Sequence, residues 1–365
     1  MIPLPKLTAH DRVLILAPHP DDEALATGGL IQRAIAVRAK VRVLFATDGE
    51  NNPWPQRVVE RKWSIQPEDR ARWGARRRRE ALLSLAHLGV PANAVRFFGL
   101  PDQGITGMLL TGDDRPLRLL GDALREWQPT WIVFPASADV HPDHSALHVF
   151  MKFAIDRVRL ETGTFAELHF IVHAPKHLPR APRVELALCP EEKARKREAI
   201  LCHASQMALS RGRFVAYAKD VERYWHPEKN IGLAHHHPIR RAGIENGALR
   251  MELHLGKVSL KGAQLCVAAE SMETGSVRWL LPMPTTSRRV HLRDADTGAL
   301  LRLATVRIRG RHAEIHIPVA ALLPVDQLFV KLERRFLFFD EAGWREVPAS
   351  HSVHPAKQGV AQSEK

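Results

Sequence analysis

Residues 13–23 read VLILAPHPDDE, an apolar run that ends in a histidine and three carboxylates. An apolar run of this length bounded by a polar turn is typical of a strand that is buried on both faces. A second run, WIVFP at 131–135, is followed by His141-Pro142-Asp143-His144. Because the carboxyl ends of parallel strands meet at one edge of a sheet, we expect both clusters to lie at that edge. Together the two stretches predict the site of a metal hydrolase.

The first two-thirds of the chain alternates strand-like and helix-like segments. The strand-like runs are 13–17, 41–47, 94–98, 131–135 and 168–173, and the helix-like segments are 24–39, 68–88, 116–127, 145–159 and 190–205. This alternation predicts an α/β fold, with a mostly parallel sheet covered by helices on both faces. Residues 48–67 show no clear period, so we predict a long loop there, at the edge that carries the first cluster.

The last third of the chain has a different pattern. Apolar and polar residues alternate strictly over 249–255, and the two-residue period returns at 306–308 and 313–317. This pattern predicts half-buried strands of a C-terminal antiparallel β-domain, sandwich-like in architecture. We therefore divide the chain into a catalytic domain (1–232), a linker (233–246), an accessory β-domain (247–348) and a disordered tail (349–365).

Composition restricts the class of protein. The 365 residues carry a formal net charge of +13, which favours anionic partners and is compatible with peripheral association with a membrane surface. Aromatic residues are 6% of the chain and are not interleaved with its arginines, so we expect no nucleic acid partner. We expect neither a signal peptide nor a membrane span, and three scattered cysteines suit a reducing compartment, so the predicted location is the cytoplasm.

The two clusters hold the residue types of a catalytic metal site. His19, Asp22 and His144 supply two imidazoles and one carboxylate, the ligand set with which a catalytic zinc keeps one position open for water. Asp21, beside the ligand Asp22, can take the proton of that water. His141 can protonate a leaving amine or stabilise the oxyanion. Neither cluster contains a cysteine, which argues against a closed structural zinc site.

With these motifs the chain resembles the PIG-L/LmbE family of zinc-dependent N-deacetylases. Further similarities follow in the family's order, over roughly residues 10–225: Arg77 three residues before Glu80, the segment LPDQG at 100–104, and KREAI at 196–200 running into HASQ at 203–206. The β-domain lies outside the resemblance.

The resemblance implies a Rossmann-like domain with zinc (or Fe²⁺) bound by His19, Asp22 and His144, Asp21 as general base and His141 as its partner acid. It also implies that Glu23 supports the ligands from outside and that Arg77 and Asp102 bind sugar hydroxyls. Asp143 is expected to buttress its loop. One departure stands out: members acting on small thiol-precursor glycosides can place a tyrosine where this chain has Asp139.

The expected activity is removal of the acetyl group from an N-acetylhexosamine unit, with a lipopolysaccharide-core or other anionic glycolipid or glycan intermediate as the acceptor. A small thiol-precursor glycoside is the alternative acceptor. Two hypotheses of other classes stay open: a non-haem iron oxygenase, which also uses two histidines and one carboxylate, and a non-catalytic polyanion-binding protein. The arginine run 76–79 predicts either a solvated helix face or an anion site, and the β-domain could grip a larger glycan or pack a second subunit.

Overall fold

The computed structural model describes residues 2–174, 183–225, 237–256, 260–271, 275–319, 325–334 and 338–348. An α/β domain is built around an eight-stranded sheet, and a second body around a nine-stranded sheet. The predicted fold class, a mostly parallel sheet with helices followed by an antiparallel β-domain, is confirmed. The predicted disordered tail, 349–365, lies outside the described residues, as do residues 233–236 of the predicted linker.

The α/β domain alternates strands and helices along the chain. Its strands are β1 (Ile2–Pro3), β2 (Arg12–Ala17), β3 (Lys40–Thr47), β4 (Val95–Leu100), β5 (Trp131–Pro135), β6 (Ala166–Phe170), β7 (Arg183–Ala187) and β8 (Val221–Trp225). Its helices are α1 (Asp22–Ala36), α2 (Pro53–Glu60), α3 (Pro67–His87), α4 (Ile105–Leu110), α5 (Arg115–Trp127), α6 (Pro142–Val158), α7 (Pro190–Leu201) and α8 (Ala204–Val215).

The sheet order is β1-β7-β8-β6-β5-β2-β3-β4. The pairings from β4 to β6 are parallel, whereas β8 is antiparallel to both of its neighbours. Every residue of β5 is buried, because helices cover both faces of the sheet; this is why its sequence is one continuous apolar run. The chain leaves β2 towards β3 and β4 on one side and returns to β5 on the other. The two acidic clusters therefore lie at a topological switch point, where α/β sheets open a crevice.

Two parts of the chain differ from the predicted elements. The predicted loop 48–67 contains α2, a helix of 8 residues with prolines at positions 53 and 55. Its first two turns bury only Pro55 and Gln56, so no apolar period marks it in the sequence. The predicted helix 190–205 is two helices, α7 and α8, which meet at Cys202 and His203.

The second body is an antiparallel sheet of strands β9 (Ile239–Glu245), β10 (Ala248–His254), β11 (Gln264–Ser271), β12 (Gly275–Pro282), β13 (Arg288–Asp294), β14 (Leu300–Arg309), β15 (His312–Pro318), β16 (Gln327–Glu333) and β17 (Arg345–Glu346). Residues 239–245 of the predicted linker thus form its first strand. The sheet order is β17-β16-β11-β12-β13-β14-β15-β10-β9. Arg345 Nη1 donates to the carbonyl oxygen of Ile239 over 2.6 Å, so the two edge strands approach each other and the sheet is nearly barrel-like.

The two bodies share one hydrophobic core. Cys266 and Ala268 of β11, Phe329 of β16, and Trp344 pack into the same buried cluster as residues of α4, α5 and α6. Arg278 of β12 is buried and its Nε donates to the carbonyl oxygen of Leu109 over 3.0 Å. The β-domain is therefore fixed on the α/β domain by packing and hydrogen bonds. Among the helices in the described part of the chain, none has the length and hydropathy needed to cross a bilayer.

Candidate active site

The first cluster sits on the turn between β2 and α1. Asp22 Oδ2 accepts a hydrogen bond from the backbone N–H of His19 over 2.9 Å, so the turn closes around the side chains it presents. Asp21 has a φ of 133°, a conformation that non-glycine residues rarely adopt. Its N–H donates to Glu23 Oε2 over 2.8 Å, which holds this strained residue in place.

The second cluster brings His144 onto the first. His144 Nε2 lies 3.2 Å from Asp22 Oδ2 and 3.3 Å from His19 Nδ1, and His19 Nδ1 lies 3.2 Å from Asp22 Oδ2. All three side chains are buried. Three ligand atoms therefore form a nearly equilateral triangle at the carboxyl edge of the sheet.

The dimensions of this triangle fit a tetrahedral metal ion. Ligand bonds of about 2.0–2.1 Å to zinc place neighbouring ligand atoms about 3.3 Å apart. The second nitrogen of each imidazole faces a carboxylate: His19 Nε2 lies 3.2 Å from Asp102 Oδ1, and His144 Nδ1 lies 3.1 Å from Asp139 Oδ2. Carboxylates in this position orient metal-binding histidines and raise their basicity. The residues present thus fit a divalent metal ion with at least one open position.

The electrostatics of the cluster also favour a cation. Burial lowers the pKa of His144, but Asp22 and Asp139 outweigh burial and raise it to about 9. Burial raises the pKa of Asp22, but His144 and His19 outweigh it and hold that pKa well below its usual range. The surrounding carboxylates thus hold positive charge on imidazoles that would bind a metal through their neutral form. A divalent ion can replace those protons.

Asp21 is held by an arginine from α3. Arg77 is buried; its Nη2 donates to Asp21 Oδ2 over 2.9 Å and to the carbonyl oxygen of Pro20 over 2.6 Å, and its Nη1 donates to the carbonyl oxygen of Gly49 over 2.8 Å. Burial raises the pKa of Asp21 above its usual range, and the Arg77 guanidinium limits the rise. Arg77 is therefore buried, whereas a solvated helix face was one of the two predictions for the run 76–79. Its role in sugar binding stays a prediction.

His141 caps the N-terminus of α6 with its own ring. Its Nδ1 accepts the backbone N–H of Asp143 over 3.2 Å, so in the neutral imidazole the proton is on Nε2. Burial, with positive charge from the neighbouring histidines, holds the pKa of His141 well below its usual range. The ring is therefore neutral near pH 7 and presents an N–H donor.

Asp102, Asp143 and Glu23 support the cluster from outside. Asp102 Oδ2 accepts from the backbone N–H of Asn51 over 2.8 Å, while its other oxygen faces His19. Asp143, in the first turn of α6, accepts from the backbone N–H groups of Gln103 and Ile105 at 2.7 and 3.1 Å, which ties the start of α6 to the start of α4. Glu23 Oε1 faces His203 Nε2 at 2.7 Å. The Asp102 carboxylate thus contacts His19 in this structure, and its contact with sugar hydroxyls stays a prediction.

Two residues of the cluster were missed in the sequence. Asp139 is fully buried, and besides facing His144 it accepts from the backbone N–H groups of His141, Val172 and His173. His173 follows β6, with its ring centroid 5.2 Å from that of His141, and it forms a further candidate ligand group with Asp22 and His144. Asp139 follows β5, the neighbour of β2, and His173 follows β6, the neighbour of β5. The position of both residues after apolar runs was the available signal.

The chain is similar in sequence to a known protein family. Residues 14–155 match the family model described as PIG-L: GlcNAc-PI de-N-acetylase. A 1D-myo-inositol 2-acetamido-2-deoxy-alpha-D-glucopyranoside deacetylase from Tsukamurella paurometabola is 32% identical over an alignment of 171 residues, which covers 40% of this chain and 55% of that protein. The protein of the same name from Rhodococcus jostii is 27% identical over 54% of this chain and 82% of its own length.

Among solved structures, N,N'-diacetylchitobiose deacetylase from Pyrococcus horikoshii aligns with a TM-score of 0.47 and 19% identity, over 59% of this chain and 83% of the other. The chain spans about half the length of the Tsukamurella relative. The resemblance to the PIG-L/LmbE family, first seen in the two motifs, is confirmed. Residues 14–155, which contain both clusters of the site, are the part of the chain that is similar to the PIG-L family.

Proposed function

We propose that the protein is a metal-dependent deacetylase that removes the acetyl group from an N-acetylhexosamine unit. The observation that carries the proposal is the triangle of His19 Nδ1, Asp22 Oδ2 and His144 Nε2, flanked by a buried carboxylate and a neutral histidine. The family match and the names of the relatives support it, since the two curated relatives are named as deacetylases of an N-acetylated amino-sugar glycoside.

His19, Asp22 and His144 would hold the metal, for which we propose zinc, with Fe²⁺ as the alternative. When bound, the ion supplies Lewis acidity for the acetamide carbonyl and for a water molecule. The chain's own residues provide the remaining functions, namely proton transfer, orientation and stabilisation of charge.

Asp21 is the proposed general base. Its raised pKa brings it towards the range in which a carboxylate can both accept a proton and give it up again near neutral pH. Arg77 fixes the direction of its carboxylate. Hydrolysis consumes one water: its hydroxyl oxygen joins the acetyl carbon, the C–N bond breaks, and its proton is passed to the leaving amine. The products are acetate and a free amino sugar.

His141 is the proposed partner of Asp21. The Asp143 N–H that occupies Nδ1 leaves the Nε2–H as a donor, which suits stabilisation of the carbonyl oxygen as negative charge develops there. To protonate the leaving amine, His141 would first have to take up a proton, because a neutral imidazole N–H is too weak an acid. Stabilisation of the carbonyl oxygen needs only the neutral form, so His141 does not need to be charged in the resting enzyme.

The molecule that carries the N-acetylhexosamine unit is proposed from the net charge of the chain and from the presence of the β-domain. A net charge of +13 suits an anionic glycan or glycolipid, such as a lipopolysaccharide-core intermediate, and association with an anionic membrane surface. A small glycoside, like the substrate named for the Tsukamurella and Rhodococcus relatives, is the alternative.

The test is acetate release by the purified, zinc-loaded chain from a panel of acceptors: N-acetylglucosaminyl-inositol, N,N'-diacetylchitobiose, a nucleotide sugar and an N-acetylated glycolipid. We expect Asp21→Asn to lower kcat by roughly 10²–10⁴-fold. Asp122→Asn, at an exposed carboxylate on α5, is the matched control and should match the wild type. An Asp21→Asn enzyme that retains wild-type kcat would refute the proposed base.

A panel without any acetate release would remove the deacetylase proposal itself. Oxygen uptake by the iron-loaded chain with a 2-oxoacid would then favour the oxygenase hypothesis. The polyanion-binding hypothesis would gain if heparin-like ligands bound equally well to the wild type and to Asp21→Asn.

A further inference from the structure

The accessory β-domain places two aromatic rings on the site. The Phe338 ring lies 5.0 Å from that of His141, edge to face, and the Phe339 ring lies 5.8 Å from His141 and 5.1 Å from His173. The two phenylalanines also contact each other at 5.0 Å. Their exposed fractions are 46% and 40%, so each presents a large part of its ring to solvent beside the proposed acid.

The segment that carries these rings is firmly attached to the catalytic domain. The N–H of Asp340 donates to the carbonyl oxygen of Val140 over 2.9 Å, and the Asp340 carboxylate pairs with the buried Lys331 Nζ at 2.6 Å. Gly343 packs so closely that an added Cβ would lie 1.8 Å from the Ser137 carbonyl oxygen. Trp344, next in the chain, is fully buried in the shared core. The position of the two rings is therefore built into the interface.

The surroundings of the rings indicate what would cover them. On one side are the histidines and the buried carboxylates of the site, and on the other is solvent. A pyranose ring matches such a place, because one face presents C–H groups to an aromatic ring while its edge presents hydroxyls to polar groups. A two-ring patch is small for a protein partner, whose interface would bury about 800 Å² on each side.

We propose that Phe338 and Phe339 form a stacking subsite for the sugar that is linked to the reacting N-acetylhexosamine, so that the β-domain selects oligosaccharides over single sugars. This inference rests on the proposed function and extends it to the second sugar. Binding at the subsite would help to hold the scissile acetamide against Asp21 and His141, so its effect should appear in kcat/KM.

The experiment compares acetate release from N,N'-diacetylchitobiose with release from N-acetylglucosamine. We expect the wild type to prefer the disaccharide, and the pair of substitutions Phe338→Ala and Phe339→Ala to lower the ratio of the two kcat/KM values about tenfold. The pair Phe338→Leu and Phe339→Leu keeps apolar volume but removes the rings, and should lower the ratio as well. Leu300→Ala is the control, since Leu300 is an exposed apolar residue of β14, four strands from β16.

Several outcomes would overturn the subsite. If neither kcat/KM value changes, the rings do not bind the second sugar. If both kcat/KM values fall by the same factor, the rings only position His141. If the substitutions lowered kcat/KM only for an octyl glycoside of N-acetylglucosamine, the rings would instead bind an alkyl chain. Saturation-transfer NMR with the deacetylated disaccharide separates this inference from the proposed function. Binding that the alanine pair abolishes supports the subsite even if no acetate is released, and absence of binding to the wild type contradicts it.

Discussion

At the scale of single residues, Asp139 illustrates how one buried carboxylate can organise a candidate metal site without being one of its proposed ligands. It is buried and faces His144 Nδ1 at 3.1 Å. It also accepts N–H groups from the segments that follow β5 and β6. Asp139 therefore sets both the ring orientation of a proposed ligand and the spacing of two loops.

We predict that Asp139→Asn weakens zinc binding by roughly 10–100-fold, the usual effect of removing a carboxylate behind a metal-binding histidine. In the place of Oδ2, the asparagine oxygen can still accept from the backbone N–H groups of Val172 and His173, so the fold should persist. The hydrogen bond from the N–H of His141 is lost, because the amide NH2 group cannot accept it. Competition with a chromogenic chelator measures the affinity, and circular dichroism checks the fold. Asp122→Asn serves as the exposed control. Equal zinc affinities for Asp139→Asn and the wild type would show that His144 needs no carboxylate partner.

The sequence predicted much of this site because its residues follow apolar strands at short spacing. His19, Asp22 and His144 meet as the two-strand argument expected, and Asp21 and His141 flank them. Arg77 was harder to place, since an arginine within a run of four is ordinarily solvent-exposed. It is buried because Gly49 comes close enough for hydrogen bonding, and an added Cβ at Gly49 would lie 1.8 Å from Arg77 Nη1. Such long-range contacts leave no local period in the sequence.

At the scale of elements, the strands and long helices were predictable and the short ones were not. Apolar runs identified β2, β3 and β5, and the long α3 followed from its length and spacing. By contrast, α4 has 6 residues, too few for a helical period to be distinguished from chance, and β8 reads VERYW, which is not an apolar run. The antiparallel placement of β8 depends on its pairing with β7 and β6, which lie far away in the chain.

The segment between β16 and β17 gives a prediction at this scale. Gly343→Ala should destabilise the protein by about 1–3 kcal/mol, because the new methyl group meets the backbone carbonyls of Ser137 and Asp139, which cannot rotate away as a side chain could. Urea denaturation measures the loss. The matched control is Gly243→Ala in β9, where nothing lies within 4 Å of an added Cβ. If both variants lost the same stability, the close approach at residue 343 would have no energetic role.

At the scale of the whole molecule, the β-domain completes the core of the α/β domain. Residues of β11, β16 and the segment before β17 fill a cluster that also contains α4, α5 and α6. The alternating pattern predicted a β-domain at the C-terminal end of the chain, but not which face of it packs on the α/β domain. The residues that pack across the interface, such as Cys266 and Phe329, look like ordinary core residues of an isolated sheet. The net charge of the chain and the rings of Phe338 and Phe339 can be related to the candidate site only when that face is known.

His237 lies at this junction and leads to a pH prediction. Its Nδ1 accepts the N–H of Ile239 over 3.0 Å, so its Nε2–H donates to the carbonyl oxygen of Gly343 over 3.2 Å. Burial, together with Arg345 and Arg240, lowers its pKa to about 4, although the two backbone carbonyls work in the opposite direction. An unfolded histidine titrates near pH 6.5. Between these two values the unfolded chain binds a proton that the folded chain does not.

Stability from His237 is therefore fully present above about pH 6.5 and is lost as the pH falls towards 4, by roughly 3 kcal/mol in all. Other buried histidines titrate too, so the measurement is a difference: urea denaturation of the wild type and of His237→Gln at pH 7.5 and at pH 4.5. Glutamine retains a donor for the Gly343 carbonyl oxygen but cannot take up a proton. We expect the wild type to lose more stability than His237→Gln over this interval. Parallel losses in the two proteins would mean that His237 does not couple protonation to the junction.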